Sequence, residues 1–446
     1  MNPGELIVIL IVIIPAVSII FYKLRIQYAS VTAGIIDLIL TVLLYFYKPL
    51  PDIFFIDNIT IIFILMVLSI YVLSLLYSPA YLKGTKMGIR KNNYYMLIDL
   101  FAVSMLFTLV INNYGLMWVG IEATTISSAL LLIAKKTDTS LEATWRYIVI
   151  VSAGVAFAFF SVILIYYSLG TLQVSTAIIS HVHSKMIVVA VAIALIGFGT
   201  KVGVFPVHTW LPDAHSEAPS PVSAMFSGVL LPTALYVLYR VYEIAPIREL
   251  YVWFAVVSIV AASIFLGHQT RYKRMFAYST MENMNLALLG FAVGGTFGVI
   301  GAVLLLISHS FGKAGAFYSS GNILRFTGKS KIFDIGGIYR SMPVTSSSLL
   351  LSSLAVTGAP PFGTFFGEFL IFAGLLQEHQ YAAFIIVAIA VATAFISMNY
   401  NVSSMLFHGS SDYKEENRMM PAISLFSSIV PIVIGIVYMV MYSAMV

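Results

Sequence analysis

Five acids and two lysines interrupt stretches of this chain that are otherwise apolar, and these are the residues whose type and place suit them to chemistry. Glu122 lies in WVGIEATTISSALL and Lys201 in IGFGTKVGVFP. Glu282 lies in YSTMENMN, Lys313 with His309 in ISHSFGKAGAF, and Glu368 in FGEFLIF; Asp37 and Asp99 complete the set. Each ionisable group placed in a lipid-embedded helix costs roughly 2.5–3.5 kcal/mol on insertion scales. His309 and Lys313 are four apart and share a helix face. His208 and His215, seven apart by the break at Pro206, share a face if the second half of that span is helical. A desolvated lysine releases its proton readily, and a nearby carboxylate restores its hold. An acid and a lysine on neighbouring helices therefore make an element that takes up and releases protons as the pair closes and opens.

Each residue also has a structural role open to it. Lys201 can snorkel to an interface, Glu122 can pair with a basic neighbour, and His309 with Lys313 can hold helices together through a polar network. Glu282 can answer Lys273 or Arg274, and Asp37 and Asp99 can sit near headgroups. His181 and His183 read as solvated loop residues. Other chemistry finds no residues. The chain has no cysteine, which excludes iron–sulfur clusters and thiol catalysis. Gly197 and Gly199 follow no strand, so they are a packing feature and not a nucleotide site. No metal cluster, catalytic serine or cofactor-binding motif is expected. The net charge of +5 belongs to membrane loops and not to nucleic-acid binding.

The elements that must position these groups are membrane helices. Of 446 residues, 60% are hydrophobic and 10% charged, against about 25% charged in soluble domains. Fourteen apolar spans follow one another, at approximately 5–22, 29–47, 58–77, 94–112, 115–134, 146–168, 186–216, 219–240, 250–267, 274–294, 296–323, 344–377, 380–406 and 420–444. The first has no basic stretch before it and no cleavage site after it, so it reads as a retained span. With fourteen crossings, eighteen of the 24 basic residues fall on one side. They include Lys23 and Arg25, Lys83 to Lys91, Lys135 to Arg146, Arg271 to Arg274, Arg325 to Arg340, and Lys414 with Arg418. The other side holds Lys48, Lys185, Arg240 and Arg248. The basic side is thus expected in the cytoplasm and both termini outside.

Two spans are long and carry prolines midway. Pro206 has no N–H for the Val202 carbonyl and should break span 7 just after Lys201, and Pro360 and Pro361 should break span 12 at Val356 and Thr357. Breaks at matching places mark inverted-repeat transporters. Spans 4–8 (94–240) and 9–13 (250–408) then form two inverted five-helix repeats, flanked by residues 1–93 and 420–446.

The run KVGVFPVHTWLPDAHSEAPSPVSAMFSGVLL resembles the signature of the proton-conducting antiporter family. That family includes the antiporter-like subunits of complex I, multisubunit sodium/proton antiporters and membrane-bound hydrogenases. YKRMFAYSTMENM, HSFGKAGAFYSSGNIL and GAPPFGTFFGEFLI are similar to further family segments in the same order. EATT at 122–125 and SGNI at 320–323 most resemble the F-type component of formate-hydrogenlyase-class hydrogenases. The resemblance implies a proton path through Glu122, Lys201, His309, Lys313 and Glu368. It also implies an oxidoreductase complex whose redox cofactors reside in partners: other membrane subunits and a cytoplasmic-side redox module. Where many members have a lysine in span 8, this chain has Pro232. Either His208, His215 and water bridge that gap, or conduction along the axis is impaired.

The expectation is therefore an all-α, fourteen-helix subunit in the cytoplasmic membrane that translocates protons, or sodium ions in their place. Two rival readings are a subunit of a cation/proton antiporter without redox partners, and a non-pumping, ion-dependent membrane subunit.

Overall fold

The computed structural model describes residues 2–20, 26–48, 50, 52–83, 87–180, 184–415 and 418–443. Lys23, Arg25, Lys86, His181 and His183 lie outside the described residues. Among the described residues the chain is helical, with isolated bridges but no strand.

Helices α1 (Pro3–Ser18), α2 (Ile26–Leu44) and α3 (Asn58–Leu82) come first. They are followed by α4 (Lys91–Val110), α5 (Tyr114–Leu132), α6 (Asp138–Leu169) and the short α7 (Val174–Ile179). Span 7 is split into α8 (Lys185–Val202) and α9 (Trp210–Glu217). Span 8 is made of α10 (Ser220–Met225), a π-turn at Phe226–Leu230 and α11 (Leu231–Tyr242). Then come α12 (Arg248–Gly267), α13 (Tyr272–Val293), α14 (Gly295–Thr327) and the single-turn α15 (Ile338–Ser341). The chain finishes with α16 (Pro343–Val356), α17 (Gly363–Gln377), α18 (Tyr381–Phe407) and α19 (Met419–Ser443).

Side-chain caps set several starts. Asp57 accepts the Thr60 N–H at 2.8 Å, Asn113 that of Leu116, and Ser184 that of Ile187, each satisfying a donor that the first turn leaves open. Glycines in the left-handed region end others, Gly170 after α6 and Gly328 after α14.

The distribution of side chains is that of a multi-pass membrane protein. Ile39, Phe160, Ile396 and Phe426 stand exposed, while serines, threonines and asparagines fill the interior. An unpaired polar group facing lipid would cost several kcal/mol, so the polarity turns inward. Eleven of the described helices are long and apolar enough to cross a membrane. The first, tenth and twelfth predicted spans are not among them. The first is the 16-residue α1, and the twelfth is divided between α16 and α17. The tenth, α13, is long enough at 22 residues but carries the polar run Ser279–Asn285 on an almost wholly buried helix.

Both breaks fall where the prolines put them. α8 stops at Val202, with Gly203 at φ +92°, and α16 stops at Val356. Main-chain groups freed at the breaks are taken up by neighbouring helices. Asn285 donates to Gly203 O at 3.2 Å and Asn283 to Val356 O at 2.9 Å, so α13 holds the end of both half-helices. Phe205 N–H donates to Ser258 Oγ, and Thr364 N–H to Ser308 Oγ.

α3, from the segment that precedes the first predicted repeat, packs on α14. Ser74 shares a 2.8 Å hydrogen bond with the Tyr318 hydroxyl of α14, and the Tyr77 hydroxyl donates to Tyr318 O and Asn322 Oδ1.

Candidate functional site

Lys201 is fully buried on the last turn of α8. Its Nζ reaches across to α5 and donates to Ile121 O at 3.1 Å and to Thr125 Oγ1. Glu122 lies between these two acceptors in sequence, half-buried, with Oε2 lacking a hydrogen-bond partner. No ion pair joins Glu122 to Lys201 among the described residues, although the two interact electrostatically. Lys201 and Glu122 are thus neighbours without an ion pair between them. The Tyr147 ring centre stands 5.9 Å from Lys201 Nζ, and its hydroxyl shares a proton with Ser128 at 2.7 Å.

The second lysine repeats the arrangement. Lys313, fully buried on α14, donates to Phe276 O of α13 at 2.9 Å. Glu282, one and a half turns further along α13, is 2% exposed and has Oε2 unpartnered. It interacts electrostatically with Glu368 and with Lys313. Glu282 does not answer Lys273 or Arg274. Arg274 pairs with Asp213 at 2.6 Å, and Lys273 donates to Ala218 O, also at 2.6 Å.

Glu368, on α17 after the second break, is 7% exposed. Its carboxylate rests on Gly358, where an added Cβ would stand 2.1 Å from Oε2. Gly358 has φ +67° and so favours glycine on conformational grounds as well.

His309 and Lys313 share α14 as expected. Neither ring nitrogen of His309 meets a hydrogen-bond partner in good geometry, and the Ser227 backbone faces the ring. His208 and His215 do not share a helix face, because His208 lies in the turn before α9 starts. It packs among Phe205, Phe265 and Tyr278, whereas His215 stacks on Phe317 at 5.2 Å with Phe226 edge-on. Tyr147 packs on Trp210 and Phe226, and Phe226 packs on His215, so a row of rings runs from the Lys201 surroundings to His215.

Asp99 is not near a surface. It is fully buried and accepts hydrogen bonds from Ser18, Ser30 and Tyr71 at 2.9, 2.7 and 2.7 Å, which tie α1, α2 and α3 to α4. Asp37 is also fully buried, with neither oxygen hydrogen-bonded.

Sequence reading missed two groups. Arg240, placed at the end of span 8 on the less basic side, is 2% exposed and bonds Asp57 at 2.5 Å and Glu243 at 2.9 Å. Beside it Asp57 is held below its ordinary value: burial pushes the carboxyl up, but Arg240 and the Thr60 N–H outweigh that. On the basic side, Asp213 and Glu217 of α9 are gripped by Arg146, Arg274, Arg271 and Thr139 around a depression of about 230 Å³. No group of three or more metal-ligating side chains occurs among the described residues.

The transmembrane family described as NADH:quinone oxidoreductase/Mrp antiporter matches residues 111–397. A hydrogenase-4 component F homolog from Methylacidiphilum infernorum is 34% identical over 351 residues, covering 74% of each chain. An NADH-quinone oxidoreductase subunit N from Desulforudis audaxviator is 28% identical over 338 residues, covering 73% of this chain and 66% of its own. Among solved structures, a chain of the membrane-bound sulfane sulfur reductase, an archaeal respiratory membrane complex, shares the fold. Its TM-score is 0.89 at 23% identity, with coverage of 99% and 95%.

Proposed function

The chain belongs to the NADH:quinone oxidoreductase/Mrp antiporter transmembrane family, and from that premise we propose that Glu122, Lys201, His309, Lys313, Glu282 and Glu368 form its proton path. The chain is an antiporter-like membrane subunit of the kind its relatives supply to hydrogenase-type and NADH-quinone oxidoreductase complexes.

One observation carries the reading. Each of the two buried lysines is parked on a main-chain carbonyl of a neighbouring helix that also bears a carboxylate with an unpartnered oxygen. A lysine that swings from carbonyl to carboxylate holds its proton more tightly, and one that swings back holds it less. Two such elements, one at the break of span 7 and one facing the break of span 12, can pass protons stepwise. In this reading protons enter through the depression on the basic side, pass Glu122 and Lys201, and reach Lys313. They leave past Glu282 and Glu368.

The reading includes fourteen crossings, with α1, α13 and the α16–α17 pair added to the eleven long apolar helices. It includes inverted repeats over 94–240 and 250–408, the basic side in the cytoplasm and both termini outside. Electron transfer in a cytoplasmic-side partner module drives the transport, and this chain binds no redox cofactor.

Lys201→Ala and Lys201→Arg, each in the purified intact complex reconstituted into liposomes, test the path. Both should lose most proton uptake while the subunit composition stays whole, because a guanidinium keeps its proton at any working pH. Wild-type uptake by the arginine variant would reduce Lys201 to a structural role.

A further inference from the structure

Span 8 carries Pro232 at the start of α11, and here the helix departs from α geometry. The Leu231 N–H bonds Phe226 O five residues back, closing a π-turn. Pro232 has no N–H to offer Gly228 O, and Ser310 Oγ of α14 donates to that oxygen at 2.6 Å.

Within the π-turn the Ser227 hydroxyl meets α13. Ser227 Oγ and Thr280 Oγ1 are 2.6 Å apart, and both residues are fully buried. Thr280 Oγ1 also donates to Phe276 O at 3.0 Å, the oxygen that holds Lys313 Nζ at 2.9 Å. Because both donors bond the same oxygen, the Lys313 amine and the Thr280 hydroxyl are near neighbours. Next to Ser227, the Phe226 ring lies 6.1 Å from that of Tyr147, which borders Lys201. The π-turn therefore touches the surroundings of both lysines.

We propose that Ser227 and Thr280 form a hydroxyl relay that delivers protons to Lys313 from the Lys201 side. The proposal rests on the proton-translocation reading. In the step, a hydronium ion on the Lys201 side gives a proton to Ser227 Oγ. The proton already on Ser227 passes to Thr280 Oγ1, and the one on Thr280 forms a new N–H bond on neutral Lys313. Each oxygen gains one proton as it loses one, no charge is stranded on a hydroxyl, and rotation of the two O–H bonds resets the pair. His215 offers no comparable connection: neither of its nitrogens meets a hydrogen-bond partner in good geometry, and its ring is packed between phenylalanines.

The test uses the intact complex in liposomes and compares Thr280→Val, Ser227→Ala, Thr280→Ser and Lys313→Ala by proton uptake, in light and heavy water. Thr280→Val keeps the side-chain shape and removes the hydroxyl. It and Ser227→Ala should each slow uptake by about tenfold or more, as loss of a proton-transfer group does, and enlarge or abolish the solvent isotope effect. Thr280→Ser should stay within about twofold of the unmodified complex, since it keeps the hydroxyl. Uptake near the unmodified rate in Thr280→Val and Ser227→Ala, with Lys313→Ala inactive, overturns the relay. So does a fall in Thr280→Ser as deep as that in Thr280→Val, which would assign the loss to packing. Normal uptake in Lys313→Ala would instead overturn the translocation reading itself.

Discussion

Ser310→Ala removes a single oxygen from the contact between α14 and the segment before Pro232, and its cost can be worked out from the geometry. The Ser310 hydroxyl donates to Gly228 O at 2.6 Å and to Leu306 O of its own helix at 2.9 Å. Leu306 O loses little, because the helix supplies it with a main-chain donor. Gly228 O loses the donor that stands in for the missing Pro232 N–H. Interhelical hydrogen bonds in membranes average only about 0.6 kcal/mol where freed groups find other partners, whereas a buried carbonyl left without one costs about 1–3 kcal/mol. The second regime applies, because both residues are fully buried and the helices are close. A Cβ on Gly228 would stand 3.1 Å from Ser310 O, so the two backbones approach closely there. We expect a loss of about 2 kcal/mol. Pro232→Ala returns an N–H within reach of Gly228 O, and on that background Ser310→Ala should cost only about 0.5 kcal/mol. The cycle should therefore show a coupling energy of about 1 kcal/mol or more. Unfolding of the four purified proteins in mixed micelles, titrated with a denaturing detergent, measures it. Equal costs of Ser310→Ala with and without Pro232→Ala would refute the compensation argument.

Gly358→Ala should cut proton uptake while leaving assembly intact, because its Cβ occupies the place of Glu368 Oε2 and φ is +67° there; undiminished uptake in liposomes would remove the cradle from the path. Asp57 has a lowered folded pKa, so its stabilisation is present above its ordinary value of 3.8 and is lost as pH falls through the lower folded value. Asp57→Asn should accordingly reduce the thermal midpoint at neutral pH, and the difference should shrink in acid; a pH-independent difference would contradict the Arg240 pairing as its source. Single cysteines introduced at Ser411 and Pro246 should react with impermeant reagents from opposite sides of the membrane, and labelling of both from one side would sink the fourteen-crossing topology.

Sequence by itself determined what depends on neighbours along the chain. Runs of about twenty apolar residues dictate membrane helices because a lone strand or loop cannot satisfy its backbone in lipid. Pro206 and Pro360–Pro361 dictate where two helices stop, since the missing donor and the ring clash act four residues back, and the helices end at Val202 and Val356. Ionisable residues in those helices stand out by their cost. The tertiary structure decided what each one touches. Lys201 rests on Ile121 O and Thr125 rather than on Glu122, and the two histidines face different aromatic walls. Arg240, at the end of a predicted span, turns inward to bind Asp57 from 183 residues away. The polar run of α13 was visible as STMENMN, but its purpose was not. Asn283 and Asn285 close the ends of two half-helices that lie 73 and 82 residues away. The physical reason is one of range. Helix formation and helix breaking are settled within one or two turns, whereas a buried donor chooses among acceptors that only packing brings within 3 Å.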